Sequence, residues 1–173
     1  MEKSEKLYYS TRKIGNLNLK AVASVKGIKK LILNENDSAA KENSYTRLRH
    51  DDPYLYNIFK QLEEYFDRKR KKFDIPLDIE GTEFQLRVWN ELIKIPYGKT
   101  ISYRELAQKL GNPKLIRAVG RANGANAVPI VIPCHRVINN NGQIGGYTGG
   151  VKIKEELLEL EGSLSLELFS GKK

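Results

Sequence analysis

The 173-residue chain contains one cysteine, Cys134, and the residue after it, His135, is one of only two histidines, the other being His50. In Pro133-Cys134-His135-Arg136-Val137 a thiol sits between a residue that fixes local backbone and two side chains able to favour a thiolate, the form in which cysteine is a nucleophile. A lone cysteine is also commonly a small core hydrophobe, and adjacency in sequence does not by itself bring an imidazole to the sulfur. With no second cysteine there is no intramolecular disulfide and no resolving thiol. Zinc sites built from several Cys and His ligands are excluded too. Any thiol chemistry must rest on one sulfur.

A second group of chemistry-bearing residues is basic. Residues 1–83 are nearly balanced, whereas residues 84–154 hold eleven Lys and Arg against Glu91 and Glu105 alone, an excess equal to the whole chain's +9. Such a bounded basic segment reads as a phosphate-facing surface, with a solvated lysine-rich exterior as the alternative. Arg117 and Arg121 lie one helical turn apart beside Ala118, Gly120 and Ala122, small residues that let a helix backbone come close to another surface. Helix-on-helix packing would use the same residues. Gly145-Gly146-Tyr147-Thr148-Gly149-Gly150 lacks the Walker lysine pattern, so it suits a flat ligand approached by bare backbone at least as well as a phosphate. Glu161 stands at a helix end where the dipole disfavours a carboxylate, and it therefore asks for a local partner.

These residues need elements to position them. Leu17, Leu19, Ala21, Ala23 and Val25 alternate as in a half-buried strand, and Lys26-Gly27 turns into a second strand over 28–33. Residues 34–50 read as a loop. Asp51-Asp52-Pro53 opens a helix whose apolar face is Leu55, Ile58, Phe59, Leu62, Tyr65 and Phe66. Arg68–Lys72 reads as its solvated end, and Phe73–Ile79 as an extended linker. Thr82 with Gln85 is a capping-box pair opening a helix to Lys94, with Leu86, Trp89 and Ile93 on one face. Ser102 with Glu105 opens another, Tyr103–Leu110, closed by Gly111. Asn112-Pro113 starts a third from Lys114 to Asn123, ended by Gly124, and the pair resembles a helix-turn-helix. A last helix, Val151–Glu161, presents Ile153, Leu157 and Leu160 to a core. The expectation is a two-domain α/β protein. It has a small α/β domain with antiparallel strands over 1–80, then a mainly helical, winged-helix-like domain over 81–173. A hydrophobic fraction of 40% with 29% charged residues fits a globular chain. No apolar run nears the roughly 18 residues of a membrane span, and the charged amino terminus does not read as a secretory signal. A cytoplasmic protein without a membrane partner is expected.

Taken in order, Pro96-Tyr97-Gly98, Ser102-Tyr103, Arg117-Ala118-Val119-Gly120, Asn126, the Pro133–Val137 motif, Gly145–Gly150 and Lys154 through Glu161-Gly162 resemble the O6-alkylguanine–DNA alkyltransferases. The resemblance runs from about Phe84 to Gly162. It implies direct-reversal repair of double-stranded DNA, in which one alkyl group passes irreversibly from O6 of an extruded guanine, or O4 of thymine, to Cys134. It implies further that His135 acts as base through a water, that Glu161 orients it, and that Tyr103 donates toward the guanine ring nitrogen. Arg117 would fill the vacated stack, with Ala118, Gly120, Arg121, Ser102, Asn126 and Arg136 at the DNA, approached from the minor groove by a monomer. Pro133, Val137, Tyr147 and Thr148 would form the alkylguanine pocket. No metal or cofactor is expected. Ala127 stands where the family usually has proline, and Asn123 and Gly146 occupy variable positions, which leaves the preferred alkyl size open. A non-catalytic sensor of alkylated bases and a cysteine hydrolase are the rival readings.

Overall fold

The computed structural model describes residues 5–34, 45–49 and 52–164; His50 and Asp51 lie outside them. Contacts divide the chain into two units, Met1–Glu80 with Ala127–Val131, and Gly81–Asn126 with Ile132–Lys173. Assignment of Ala127–Val131 to the first unit differs from the expected single run over 81–173. The reason is local: the Leu31 N–H at the edge of the sheet donates to the Ala127 carbonyl at 2.9 Å.

Among the described residues the first unit holds a four-stranded sheet and one helix. Strands β1 (Leu7–Ile14), β2 (Leu17–Ser24) and β3 (Gly27–Leu33) form an antiparallel meander, and β4 (Tyr45–Arg47) pairs parallel to β1, giving the order β3-β2-β1-β4. The β2–β3 hairpin lies where the alternation predicts it. Strand β1 shows no such alternation, because Ser10, Thr11, Arg12 and Lys13 interrupt its apolar pattern. The two-residue Gly15-Asn16 connection, with Gly15 at φ 57, was the legible signal. β4 corrects the expected loop at 45–47; residues 35–44 of that loop lie outside the described ones. Helix α1 (Pro53–Phe66) buries Leu55, Ile58, Phe59, Leu62 and Tyr65 on the predicted face. The outer edge of β3 is further paired by Ile28 N–H to Pro76 O and Asp78 N–H to Ile28 O, which leaves less of it open to other chains.

The second unit is helical. Helices α2 (Glu83–Ile93) and α3 (Tyr103–Lys109) both open with complete capping boxes, at Thr82/Gln85 and Ser102/Glu105. A single 3-10 turn at Pro113–Leu115 precedes α4 (Ile116–Gly124), so that helix begins two residues later than its sequence suggests. Gly124 sits within the helix, and Ala125 is its cap. A two-residue parallel pair, β5 (Ile101–Ser102) with β6 (Val137–Ile138), precedes the closing helix α5 (Val151–Leu160). Two expected faces are corrected. In α2 the buried residues are Val88, Trp89 and Leu92, while Ile93 is exposed; in α5 Leu158 and Lys154 are buried and Leu160 is only half-buried. The Trp89 indole fixes the first of these, because its Nε1–H donates to Ala122 O of α4 at 2.8 Å. No helix among the described residues is long and apolar enough to cross a membrane.

Gly27 marks the tightest backbone approach in the first unit, since a Cβ there would stand 2.3 Å from Pro76 O. Gly27→Ala should therefore destabilise the protein by about 1–3 kcal/mol, as overpacking does, because the obstructing atom is backbone and cannot rotate away. Denaturant unfolding measures it, and a loss of only a few tenths would mean that the edge can part without cost.

Candidate active site

Pro133 leads into a 3-10 turn, Cys134–Arg136, whose three residues are all buried. Cys134 is 3% exposed and His135 0%. Burial pushes the thiol up from its ordinary value. The Asn126 and Tyr147 side chains beside the sulfur, together with the positive charge of Lys154, oppose that shift. The resting sulfur is consequently a protonated thiol and needs a base before it can attack. Asn126, at the start of the same segment, donates to Ile132 O at 2.8 Å, which fixes the bend that brings the cysteine round.

That base lies one residue on. His135 Nε2 is 2.9 Å from Glu161 Oε1, the cap residue after α5. Glu161 also accepts from Arg136 Nε at 2.9 Å and Nη2 at 2.8 Å, and from Gly98 N–H at 3.2 Å. Burial would raise this carboxyl, but the hydrogen bonds from His135 and Arg136 hold it down at about 2, so it is an acceptor only. Nε2 must then carry the proton that points at it. His135 Nδ1 is left as a bare lone pair, and it is buried without a partner among the described residues. Burial lowers the imidazole's pKa, so the ring is neutral near pH 7 and able to take a proton.

Arg136 is a correction. Expected at the DNA, it is 5% exposed, and its guanidinium is occupied by Glu161 and by Ile95 O at 2.6 Å. A buried carboxylate needs a paired cation more than the surface needs one more charge. Lys154 is the second. Counted with the basic surface, it is fully buried, and its ammonium reaches the carbonyls of Val137 at 2.7 Å, Ile144 at 2.6 Å and Gly146 at 3.3 Å. Those bonds tie the glycine loop to β6, and burial lowers the group to about 8. Sequence reasoning assigned Lys154 no such role; its position among the apolar residues of α5 was the available hint.

A cavity of about 340 Å³ opens beside this core, lined by Tyr103, Gly120, Asn123, Gly124, Gly146, Tyr147 and Thr148. Tyr103 is the first residue of α3, and burial raises its hydroxyl pKa. Thr148 donates to Gly124 O at 2.8 Å, which closes the glycine loop against α4. Tyr147 is pushed well above the usual tyrosine range by burial and by the neighbouring sulfur, so its hydroxyl stays protonated. Pro133 and Val137 are buried away from this lining; Val137 O already takes the Lys154 ammonium. On α4, Arg117 and Arg121 are exposed, Ala118 and Gly120 half-buried, and Val119, Ala122 and Asn123 buried. Ser102 caps α3, with its hydroxyl accepting from Glu105 N–H at 3.1 Å. Four of the expected site residues, Tyr103, Gly120, Tyr147 and Thr148, thus share one cavity. His135, Arg136 and Glu161 share one hydrogen-bonded network, and Cys134 adjoins it in the same buried turn. Among the described residues no group of three or more His, Cys, Asp or Glu could hold a metal ion.

Comparisons with known proteins agree across the chain. Residues 83–163 match the family described as 6-O-methylguanine DNA methyltransferase, DNA binding domain, and residues 13–79 match its ribonuclease-like domain. The chain is 42% identical over 156 residues to a methylated-DNA–protein-cysteine methyltransferase of Methanosarcina mazei, covering 90% of this chain and 97% of that one. It is 40% identical over 168 residues to the inducible enzyme of that name in Bacillus subtilis, with 94% of each chain covered. Among solved structures it is similar to Mycobacterium tuberculosis OGT in complex with DNA, at a TM-score of 0.81 and 39% identity over 90% of this chain and 93% of that one.

Lys154 supplies a pH test of this arrangement. Its ordinary value of 10.5 holds in the unfolded chain, against about 8 when folded. Between those values the unfolded chain binds more protons, so this residue makes the folded state gain stability as pH rises through the window. The wild type minus Lys154→Met difference in unfolding free energy should therefore climb by about 1–3 kcal/mol between pH 8 and 10. A flat or falling difference would contradict a buried ammonium at this position.

Proposed function

Because the chain belongs to the 6-O-methylguanine DNA methyltransferase family, we propose that Cys134 is the residue that takes the alkyl group from a damaged base. The protein is a DNA-repair enzyme, a methylated-DNA–protein-cysteine methyltransferase that transfers alkyl groups from DNA to cysteine. The observation carrying the assignment of residues is the single buried thiol beside His135, whose Nε2 is held by Glu161 and whose Nδ1 is bare.

His135 Nδ1 takes the thiol proton through a water, and Glu161 stabilises the imidazolium that forms. The thiolate attacks the sp3 carbon on O6 of guanine; the S–C bond forms as the C–O6 bond breaks, and the electron pair moves into the purine. Tyr103 delivers a proton to the ring nitrogen, so the base leaves neutral. Burial raises its pKa, so the hydroxyl is protonated when negative charge reaches the purine, and the phenolate left after transfer regains a proton from solvent. The base reaches the cavity only after extrusion from the duplex, at a cost of a few kcal/mol. Arg117 enters the gap from the minor-groove side, and Ser102, Ala118, Gly120 and Arg121 follow the backbone nearby, with the small residues allowing close approach. One chain holds every residue named, so a monomer suffices. The thioether on Cys134 is not a nucleophile, and the chain has no second cysteine to receive the group.

A burst of repair should stop at one equivalent, with one added methyl on the peptide containing Cys134 by mass spectrometry. Cys134→Ser should bind DNA and repair nothing. His135→Ala should slow transfer about 100-fold or more at neutral pH, with partial recovery as pH rises and the thiolate forms directly. Sustained turnover, or a label elsewhere, would instead favour a hydrolase.

Arg117→Ala should slow repair far more than it weakens binding to undamaged DNA. Arg121→Ala should mainly reduce the salt dependence of binding, by about one unit of slope. Equal, uniform binding losses in both variants would make Arg117 an ordinary phosphate contact.

A further inference from the structure

Asn140 has no part in the roles above, yet through it the segment that carries Cys134 grips the helix that carries Tyr103. An α-helix begins with four backbone N–H groups that have no partner inside it. In α3 the capping box fills two of them. Ser102 N–H donates to Glu105 Oε2 at 2.6 Å, and Glu105 N–H donates to Ser102 Oγ at 3.1 Å. A third, Arg104 N–H, donates to Asn140 Oδ1 at 3.1 Å, across 36 residues of sequence. Tyr103, the first residue of the helix, directly precedes that donor.

The turn that presents Asn140 is itself tied down. Asn139 N–H donates to Gln143 O at 2.9 Å, Gly142 N–H to Asn139 O at 3.0 Å, and Gln143 N–H to Asn141 Oδ1 at 3.1 Å. The Asn139 side chain lies against Gly145, where a Cβ would come within 2.8 Å of it. Just upstream, β6 pairs with β5, Ile101 standing opposite Val137 and Ser102 opposite Ile138. Cys134 to Asn140 is one short run of chain, and the start of α3 is fastened to it twice, by the strand pair and by the Asn140 cap. A two-residue strand pair alone would act as a hinge. The second contact, on the far side of Tyr103, removes the rotation. From this anchored start Tyr103 lines the cavity, and its hydroxyl is hydrogen-bonded to the Asn123 side chain. That bond holds the tip of the ring, and Asn140 holds its root.

We propose that Asn140 is a positioning residue for alkyl transfer: by capping α3 it sets where the proton donor Tyr103 stands relative to the nucleophile Cys134. The assignment rests on the reading of Tyr103 as donor to the departing base. A donor must lie within hydrogen-bond reach of the atom it protonates, and a misplacement of about 1 Å can cost about 100-fold in rate. Activation of the thiol runs instead through His135 and Glu161. Asn140 therefore governs the departure of the base and not the reactivity of the sulfur.

The test separates those two. Limiting single-turnover rates are measured at saturating O6-methylguanine duplex, which removes differences in DNA affinity, for wild type, Asn140→Ala, Asn140→Asp, Tyr103→Phe and the double variant Asn140→Ala/Tyr103→Phe. Alkylation of Cys134 by iodoacetamide, in which no base departs, is measured beside them. Asn140→Ala should slow transfer about 10-fold and leave the iodoacetamide rate within about 2-fold. Asn140→Asp keeps the acceptor and suits a helix N-terminus, so it should retain most of the wild-type rate. In the Tyr103→Phe background Asn140→Ala should change little, because no hydroxyl remains to be placed. Transfer by Asn140→Ala at the wild-type rate would overturn the proposal. So would an equal loss in the iodoacetamide reaction, which marks general loosening, or a loss that adds in full to that of Tyr103→Phe. Should Asn140→Ala fail to fold, a folded Asn140→Asp protein as slow as Tyr103→Phe would overturn it too. Tyr103→Phe as fast as wild type would instead overturn the reading of Tyr103 as proton donor.

Discussion

One buried carboxylate organises the second unit's chemistry. Glu161 stands at the C-terminal end of α5, where the helix dipole repels negative charge, and is nevertheless held ionised at about 2 by His135 and Arg136. Its two oxygens accept from His135, two guanidinium nitrogens and Gly98 N–H. A buried ion of this kind gains little net stability over well-packed apolar residues, because desolvation cancels much of the attraction. What it does secure is geometry. It fixes which imidazole nitrogen bears the proton, and so which one faces outward as a base. Gly98, at φ 74, completes the arrangement, since a Cβ there would meet Glu161 O at 2.9 Å.

The thiol and the cavity follow from that constraint. Burial that raises the Cys134 pKa keeps the sulfur protonated and unreactive at rest, and the neutral His135 provides the route to the thiolate. On the other side of the turn, Lys154 gathers the carbonyls of Val137, Ile144 and Gly146, which holds in place the loop whose Tyr147 and Thr148 line the cavity. Helix α4 then serves two faces: Val119, Ala122 and Asn123 pack inward, while Arg117 and Arg121 remain exposed. Two cations counted with the basic surface, Arg136 and Lys154, are thus internal. The surface charge available to an anionic partner is smaller than composition implies.

Much was legible in the chain itself. The lone cysteine, its motif, both capping boxes, the β2–β3 hairpin and the buried face of α1 depend on residues close in sequence, where turn chemistry, capping and periodicity act. The misreadings arose where local signals were weak or ambiguous. β1 is polar along half its length and is specified by its partner β2 rather than by its own pattern. The face of α2 was shifted because its rotation is set by one indole bonded to a carbonyl 33 residues away. The partner that Glu161 called for was expected, but Arg136 as that partner was not, because they are 25 residues apart.

The sequence by itself determined which atoms could do chemistry: one sulfur, its adjacent imidazole, a carboxylate at a helix end and an arginine pair on a helix of small residues. Tertiary structure alone decided which of the charged groups face water and which face each other. A positive side chain reads the same in sequence whether it is solvated or buried, and only the presence of a carboxylate or a cluster of carbonyls within about 3 Å makes burial tolerable. Arg136 and Lys154 acquired their meaning in this way, from neighbours distant along the chain.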